Sequence, residues 1–454
     1  MTMTFGKVPL ITEVLDYNSP NIPRDEVSVI RDFIMKELTE AAAILPEKYA
    51  GGYPNEKGRI TKYACLSLKA RAALYFGDYA LAESTAKEVM DKGGFSLFKI
   101  SSLSDAQKKE AEEMSLYIDF AEKGIDKDEF VKGMFNYEAL WHTENANPDN
   151  PEYIMTRQYA ASSWNYQDMT RYTSMRPNQL GGWSSVTPTQ NLVDAYWGVD
   201  GHSVPQLPTP EERAKAYNQI KADLDAYQKP EGEAKFIAFC QEKIKNGTLK
   251  DYKYIQEFRN RDSRMYVSIL MPFKSWYESN YGDKFVYEWI KNGNNESKTG
   301  FNFRKMLSLE NDANGDGQAT GDYPCIRYAE ILLIYAEAHT QTTGYDAATE
   351  AALNQLRDRC GMPDVPSGLS KEEGLKLIQN ERRIELAGEG FRGDDMTRYS
   401  DDYWKEHMNN VPIMTPDGDT ELTMKWSSRM RLKPIPQTAI DLNPLLAGDQ
   451  NPGY

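Results

Sequence analysis

Cysteine and histidine are scarce in this 454-residue chain, and positive charge falls short of negative. The four cysteines, Cys65, Cys240, Cys325 and Cys360, stand far apart with no CxxC pair. That spacing argues against a zinc cluster, a thioredoxin-like redox motif or a disulfide scaffold. The four histidines, His142, His202, His339 and His407, show no metal-ligand spacing, and His339 reads as a partly exposed helical residue rather than a base. Lys and Arg number 53 against 68 Asp and Glu, a net charge of −15. Neither a nucleic-acid groove nor an anionic membrane surface suits that balance, since both call for clustered cations. No run of about twenty apolar residues offers a membrane span. The sequence also holds no HExxH, no GxSxG elbow, no GxxxxGK(S/T) phosphate loop and no GxGxxG after a strand. Residues 1–5 read as neither a signal peptide nor a lipobox.

What is present is a substantial core and many rings. Hydrophobic residues make up 40% of the chain, and 28 Tyr outnumber 16 Phe and 8 Trp. Rings with a polar tip suit half-buried positions and sugar stacking alike. After an extended start over residues 5–15, Val27, Ile30, Ile34, Leu38, Ala41 and Leu45 recur at helical spacing until Pro46. A second helix from about Thr61 carries Ala64, Leu68, Ala72 and Phe76 on one stripe. A turn at Gly77-Asp78 leads to a third with Ala82, Ala86 and Val89. The same plan returns with Ile326, Ala329, Leu333 and Ala336, a turn at Gly344-Tyr345, then Ala348, Ala352 and Leu356. Helix, turn with Gly, Ala-rich helix is the logic of a tetratricopeptide repeat, although ordinary helix hairpins share it. A further helix opens on a Ser370…Glu373 capping box and runs through Leu377, Ile378, Ile384 and Leu386. Glu381 and Glu385 flank two arginines at helical spacing, which predicts intrahelical pairing and docking to neighbours: a structural network rather than a site.

The middle is different in kind. Pro, Gly, Asn and aromatic clusters from about 144 to 322 predict long packed loops, short helices and a few strands. The chain therefore divides into a helical part over 1–143, a loop-rich ligand-facing part over 144–322 and a second helical part over 323–454. Aromatic sets in the middle are the candidate ligand contacts: Trp164 with Tyr166 and Tyr172, Trp183, Trp197, and Trp276 with Tyr277. Exposed rings stack on the apolar face of a pyranose while neighbouring polar groups bond its hydroxyls. Asp312, Asn314 and Asp316 followed by Gly317 resemble the first half of a calcium loop. The twelfth position is Tyr323 instead of a bidentate Glu, so a solvated turn competes with a structural calcium site there.

Three stretches together resemble the SusD/RagB family. They are Arg327-Tyr-Ala-Glu-Ile-Leu-Leu-Ile-Tyr-Ala-Glu-Ala338 with Leu353-Asn-Gln-Leu-Arg-Asp-Arg-Cys-Gly361; Glu381-Arg-Arg-Ile-Glu-Leu-Ala-Gly-Glu-Gly-Phe-Arg392 with Asp395-Met-Thr-Arg-Tyr399; and Leu432-Lys-Pro-Ile-Pro-Gln437 with Gln450-Asn-Pro-Gly-Tyr454. Phe5-Gly-Lys-Val-Pro-Leu10, Pro188-Thr-Gln-Asn-Leu-Val-Asp194 and Asn260-Arg-Asp-Ser-Arg264 agree. The resemblance implies a mainly α fold, with tetratricopeptide-like helix pairs under a loop-rich face and few short strands. It also implies a non-catalytic outer-membrane lipoprotein that binds oligosaccharide, or another nutrient such as peptide, at the cell surface. Its partner would be a SusC-like TonB-dependent transporter, to which the ligand is delivered. In the family, the segment like Phe5–Leu10 follows a signal peptide, a lipid-carrying Cys and further helix pairs. A chain shortened at its N-terminus is therefore expected, with its lipid anchor and one platform ring outside this sequence. Another family ring falls after Asp262-Ser263-Arg264, which puts Trp276 and Tyr277 first among the ligand-binding candidates, ahead of Trp164, Tyr166 and Trp183. The competing readings are a protein-interaction scaffold without a ligand of its own and a glycoside hydrolase with carboxylates meeting across loops.

Overall fold

Two helix hairpins far apart in sequence pack on one another through alanine. The computed structural model describes residues 1–16, 18–50, 56, 58–160, 172–173, 182–232, 234–277, 285–307 and 320–454. After a single helical turn at Thr2–Phe5 come helices α1 (Val27–Ile44), α2 (Lys62–Tyr75) and α3 (Tyr79–Lys92). The Thr61 and Asp78 side chains accept the amides of Ala64 and Leu81, which fixes where α2 and α3 begin. Helices α4 (Asp105–Glu113) and α5 (Lys127–Ala139) lead to strand β1 (Tyr153–Arg157). The middle holds α6 (Gln190–Ala195), α7 (Pro210–Ala226), α8 (Lys235–Lys245) and α9 (Ser263–Ser268). Short strands follow: β2 (Ile269–Leu270), β3 (Ser275–Trp276), β4 (Phe285–Val286), β5 (Asn302–Phe303) and β6 (Tyr323–Arg327). Helices α10 (Tyr328–Thr342), α11 (Ala347–Arg359) and α12 (Lys371–Glu385) precede the hairpin of β7 (Val411–Met414) and β8 (Thr420–Met424).

Among the described residues the strands form antiparallel pairs only: β1 with β6, β2 with β5, β3 with β4 and β7 with β8. The fold is mainly α, as the sequence implied. Helix α10 is its hub, packed against α2, α3, α11 and α12. Ala70, Ala73, Ala82, Ala86, Ala329 and Ala336 have no exposed surface, so the helix backbones approach closely. The α3 stripe of Ala82, Ala86 and Val89 is buried as predicted. The α2 stripe holds only at Ala64: Leu68 is exposed and Ala72 and Phe76 half-buried, while Ser67, Ala70, Ala73 and Leu74 face inward. Alanine on several faces of α2 left its inward side undecided by spacing, and packing against both α1 and α3 settled it.

A second, aromatic core lies under the middle of the chain, with Tyr217, Tyr254, Phe258, Phe273, Trp276 and Tyr287 among its members. Here the expectation of loops with short helices fell short, because α7 has 17 residues and α8 has 11. A capping box between Thr209 and Glu212, with Pro210 at the first turn, starts α7. All four cysteines are free, three of them buried. Among the described residues, no helix is long and apolar enough to cross a membrane.

Candidate ligand-binding site

A buried charge cluster, beside apolar packing that includes Phe130, Met134, Met362 and Ile384, joins the middle of the chain to the helical scaffold. Arg264, Lys305, Arg327, Arg357 and Arg359 interlock with Glu152, Asp262, Glu381, Glu385 and Glu389, all of them buried. Arg264 reaches Asp262 and Glu381 at 2.7 Å and Glu385 at 3.0 Å. Arg327 meets Glu152 at 2.7 Å, Glu385 at 2.8 Å and Glu389 at 2.7 Å. Five cations face five carboxylates, so the cluster is close to neutral. Burial works against the Glu385 carboxylate, but Arg359, Arg327 and Arg264 hold its pKa well below the usual range. Burial brings Lys305 down to about 8. The intrahelical pairing expected of Glu381 and Glu385 is replaced by partners from other elements, because both side chains point away from solvent into this cluster. Arg382 turns instead to Asp395 at 2.7 Å.

A second charged cluster forms the floor of a groove. Arg304 donates to Glu110 at 2.6 and 2.9 Å and through Nε to Glu138 at 2.8 Å, and Lys274 reaches Glu110 at 2.6 Å. Burial opposes ionisation of Glu110, yet Arg304 and Lys274 hold its carboxyl well below the ordinary carboxylate range. Above this floor lies a groove of about 450 Å³, walled by Ser102, Gln107, His142, Asn145 and Tyr277. Helix α4 sets one wall. Its capping box ties Gln107 back to Ser104, so the amide that reaches toward Glu138 is held in place. The Tyr277 hydroxyl donates to Glu113 on the same helix. Burial and that carboxylate push the Tyr277 pKa far up, leaving a neutral phenol. The groove can offer a ring, amides, hydroxyls and a carboxylate to a neutral polyhydroxylated ligand without presenting an unpaired floor charge.

The end of β3 separates the two leading candidates. Trp276 pairs with Phe285 in the β3–β4 ladder and is 1% exposed, with the Arg304 guanidinium 4.8 Å from its ring centre. It is a core residue and presents no face for stacking, which corrects that expectation. The next residue, Tyr277, stands just past the end of β3, is half-buried and lies at the groove. Trp183 is 40% exposed and meets Tyr172 edge-on at 5.5 Å. Trp164 and Tyr166, and the candidate calcium ligands Asp312, Asn314 and Asp316, lie outside the described residues. Among the described residues no group of His, Cys, Asp and Glu could hold a metal ion. Sequence reasoning missed Gln107, Asn145 and Arg304. Only Gln107 carried a signal, the Ser104…Gln107 capping pattern.

The comparisons with known proteins point one way. Residues 151–454 match the model of the SusD family. A SusD-like protein, P2, of Formosa agariphila is 29% identical over 148 residues, which are 31% of this chain and 28% of that relative. The match thus spans less than a third of that protein. A SusD-like protein of Bacteroides fragilis NCTC 9343 superposes with a TM-score of 0.70 at 25% identity, covering 100% of this chain and 76% of that one. A SusD-like carbohydrate-binding protein of the same organism gives a TM-score of 0.65 at 21% identity, covering 98% and 76% of the two chains. With the family match covering well over half of its length, this chain belongs to the SusD family.

Proposed function

We propose that this protein is a non-catalytic, cell-surface glycan-binding protein that captures oligosaccharide and passes it to a TonB-dependent transporter. The observation that carries the reading is the Tyr277 groove. A half-buried ring stands beside amides, hydroxyls and a carboxylate, over a floor whose charges are already paired. Family membership supports it, as does the Bacteroides fragilis fold relative known as a carbohydrate-binding protein. Such a platform binds one or two sugar residues weakly, on the order of micromolar to millimolar. Retention of a polymer then comes from several contacts made at once.

The test is affinity electrophoresis against plant, host-mucin and microbial polysaccharides, with wild type beside Tyr277→Ala. At least one polysaccharide should retard the wild type, and the variant should bind it about tenfold more weakly, the loss of one ring contact. No release of reducing sugar should accompany binding. Retardation unchanged in Tyr277→Ala would remove the groove from the account, and cleavage of the bound polymer would remove the non-catalytic reading. Co-purification of a TonB-dependent transporter with the tagged protein checks the delivery step separately.

A further inference from the structure

The Tyr277 groove exposes charge of one sign. Asp105 and Glu144 stand at its edge, with 92% and 62% of their side-chain surface open. Among the described residues that line the groove, Arg304 is the one lysine or arginine. Its side chain is only 1% exposed, and its Nε, Nη1 and Nη2 all donate to Glu110 or Glu138. Lys274, its neighbour on Glu110, is buried as well. His142, the other lining side chain able to become positive, faces Glu144 at 3.5 Å. The two edge carboxylates keep their charge. A hydrogen bond from His142 lowers the pKa of Glu144, and one from Lys108 lowers that of Asp105. Lys108 offsets Asp105 in part from 2.8 Å, as an exposed pair that solvent and salt weaken.

Hydrogen-bonding roles sharpen the imbalance. A sugar hydroxyl can donate to Asp105 or Glu144 and accept from the Asn145 amide or the Ser102 hydroxyl. A uronate or sulfate oxygen only accepts, so neither edge carboxylate offers it a donor. Such a group would give up water without gaining an ion partner, and like charges would stand close by. The cation of the groove is spent inside the protein, while the charges turned outward repel an anion.

We propose that the groove selects uncharged sugar residues and excludes acidic ones, uronates and sulfate esters alike. The inference rests on the groove being the glycan site and adds the charge class of the ligand to that reading. Hydroxyls of a neutral residue beside the Tyr277 ring donate to Asp105 and Glu144, which thereby act as a filter as well as a contact.

Every polysaccharide that wild type retains and Tyr277→Ala releases should be neutral. Calorimetry then compares three forms of a hexose oligosaccharide from one of them. They are the parent, the same chain with its primary alcohols oxidised to carboxylates, and the methyl ester of that acid. The ester keeps the oxidised carbon and removes only the charge. At low salt the acid should bind at least about tenfold more weakly than its ester, and the gap should narrow in about 0.5 M salt. Asp105→Asn combined with Glu144→Gln should reduce the gap to about threefold, and both positions are exposed enough to take the change without unfolding. Three results overturn the proposal alone: a uronate- or sulfate-rich polysaccharide retained by wild type and released by Tyr277→Ala, an acid bound as tightly as its ester, or a gap that neither salt nor the double variant moves. Retention that Tyr277→Ala leaves intact overturns the groove reading, and this inference with it.

Discussion

The seam between the helix hairpins and the junction of the middle of the chain with α12 are held by different chemistry. Between α2, α3 and α10 much of the contact is methyl on methyl, with Ala70, Ala82, Ala86 and Ala329 wholly buried, and polar links such as Arg71 with Glu330 stand beside it. Between the middle of the chain and α12, guanidinium on carboxylate is added to the apolar packing of Ile384, with Arg264, Arg327 and Arg359 around Glu385. A small-residue seam fixes how close two helices lie and tolerates little added volume. An ion cluster fixes direction, because each buried charge needs its partners in place. The difference teaches how two parts of one fold can be joined: the helix seam chiefly by size, the loop-bearing part with an added key of buried charge.

The sharpest way to break the comparison is at Glu385. Glu385→Ala leaves Arg264, Arg327 and Arg359 short of a shared carboxylate and should cost about 3–5 kcal/mol in denaturant unfolding. A loss below about 1 kcal/mol would mean that the cluster does not key the two parts together. At the seam, Ala86→Leu adds three heavy atoms where no space exists and should cost about 1–3 kcal/mol by the same measurement. A neutral result would show that the helices can separate.

The smallest effect is a pH dependence. His339, at the end of the seam, hydrogen-bonds Glu83 at 2.7 Å and Asp346 at 3.1 Å. Burial pulls its pKa down, but these two carboxylates outweigh burial and raise it above the ordinary histidine value. A raised folded pKa contributes stability that is fully present below the unfolded value of about 6.5 and is lost as pH rises through the folded pKa. Thermal midpoints of wild type and His339→Gln should therefore differ at pH 6 and converge by pH 9. A constant difference across that range would assign the contact to packing.

What could be read in the sequence follows the same division. Ala82, Ala86 and Val89 gave the inward face of α3, and Ser370 with Glu373 gave the start of α12, because both signals lie within one or two turns of helix. Helix α7 was also legible in Thr209, Pro210 and Glu212, yet the surrounding aromatic clusters hid it. The groove was not legible. Its floor joins Glu110, Glu138, Lys274 and Arg304, pairs separated by more than 160 residues, and no local pattern encodes such a meeting. Trp276 and Tyr277 show the limit most plainly. As neighbours in sequence they look equivalent, yet one pairs in the β3–β4 ladder inside the core and the other, just past the ladder, lies at the groove.

The central claim is that sugar is held at the Tyr277 groove. Hydrogen exchange of the wild type, with and without an oligosaccharide derived from the polysaccharide it retains, tests this most directly. Bound ligand should slow exchange in peptides covering residues 98–110, 138–147 and 275–277. Binding that leaves these three segments unchanged while protecting other faces would contradict the account.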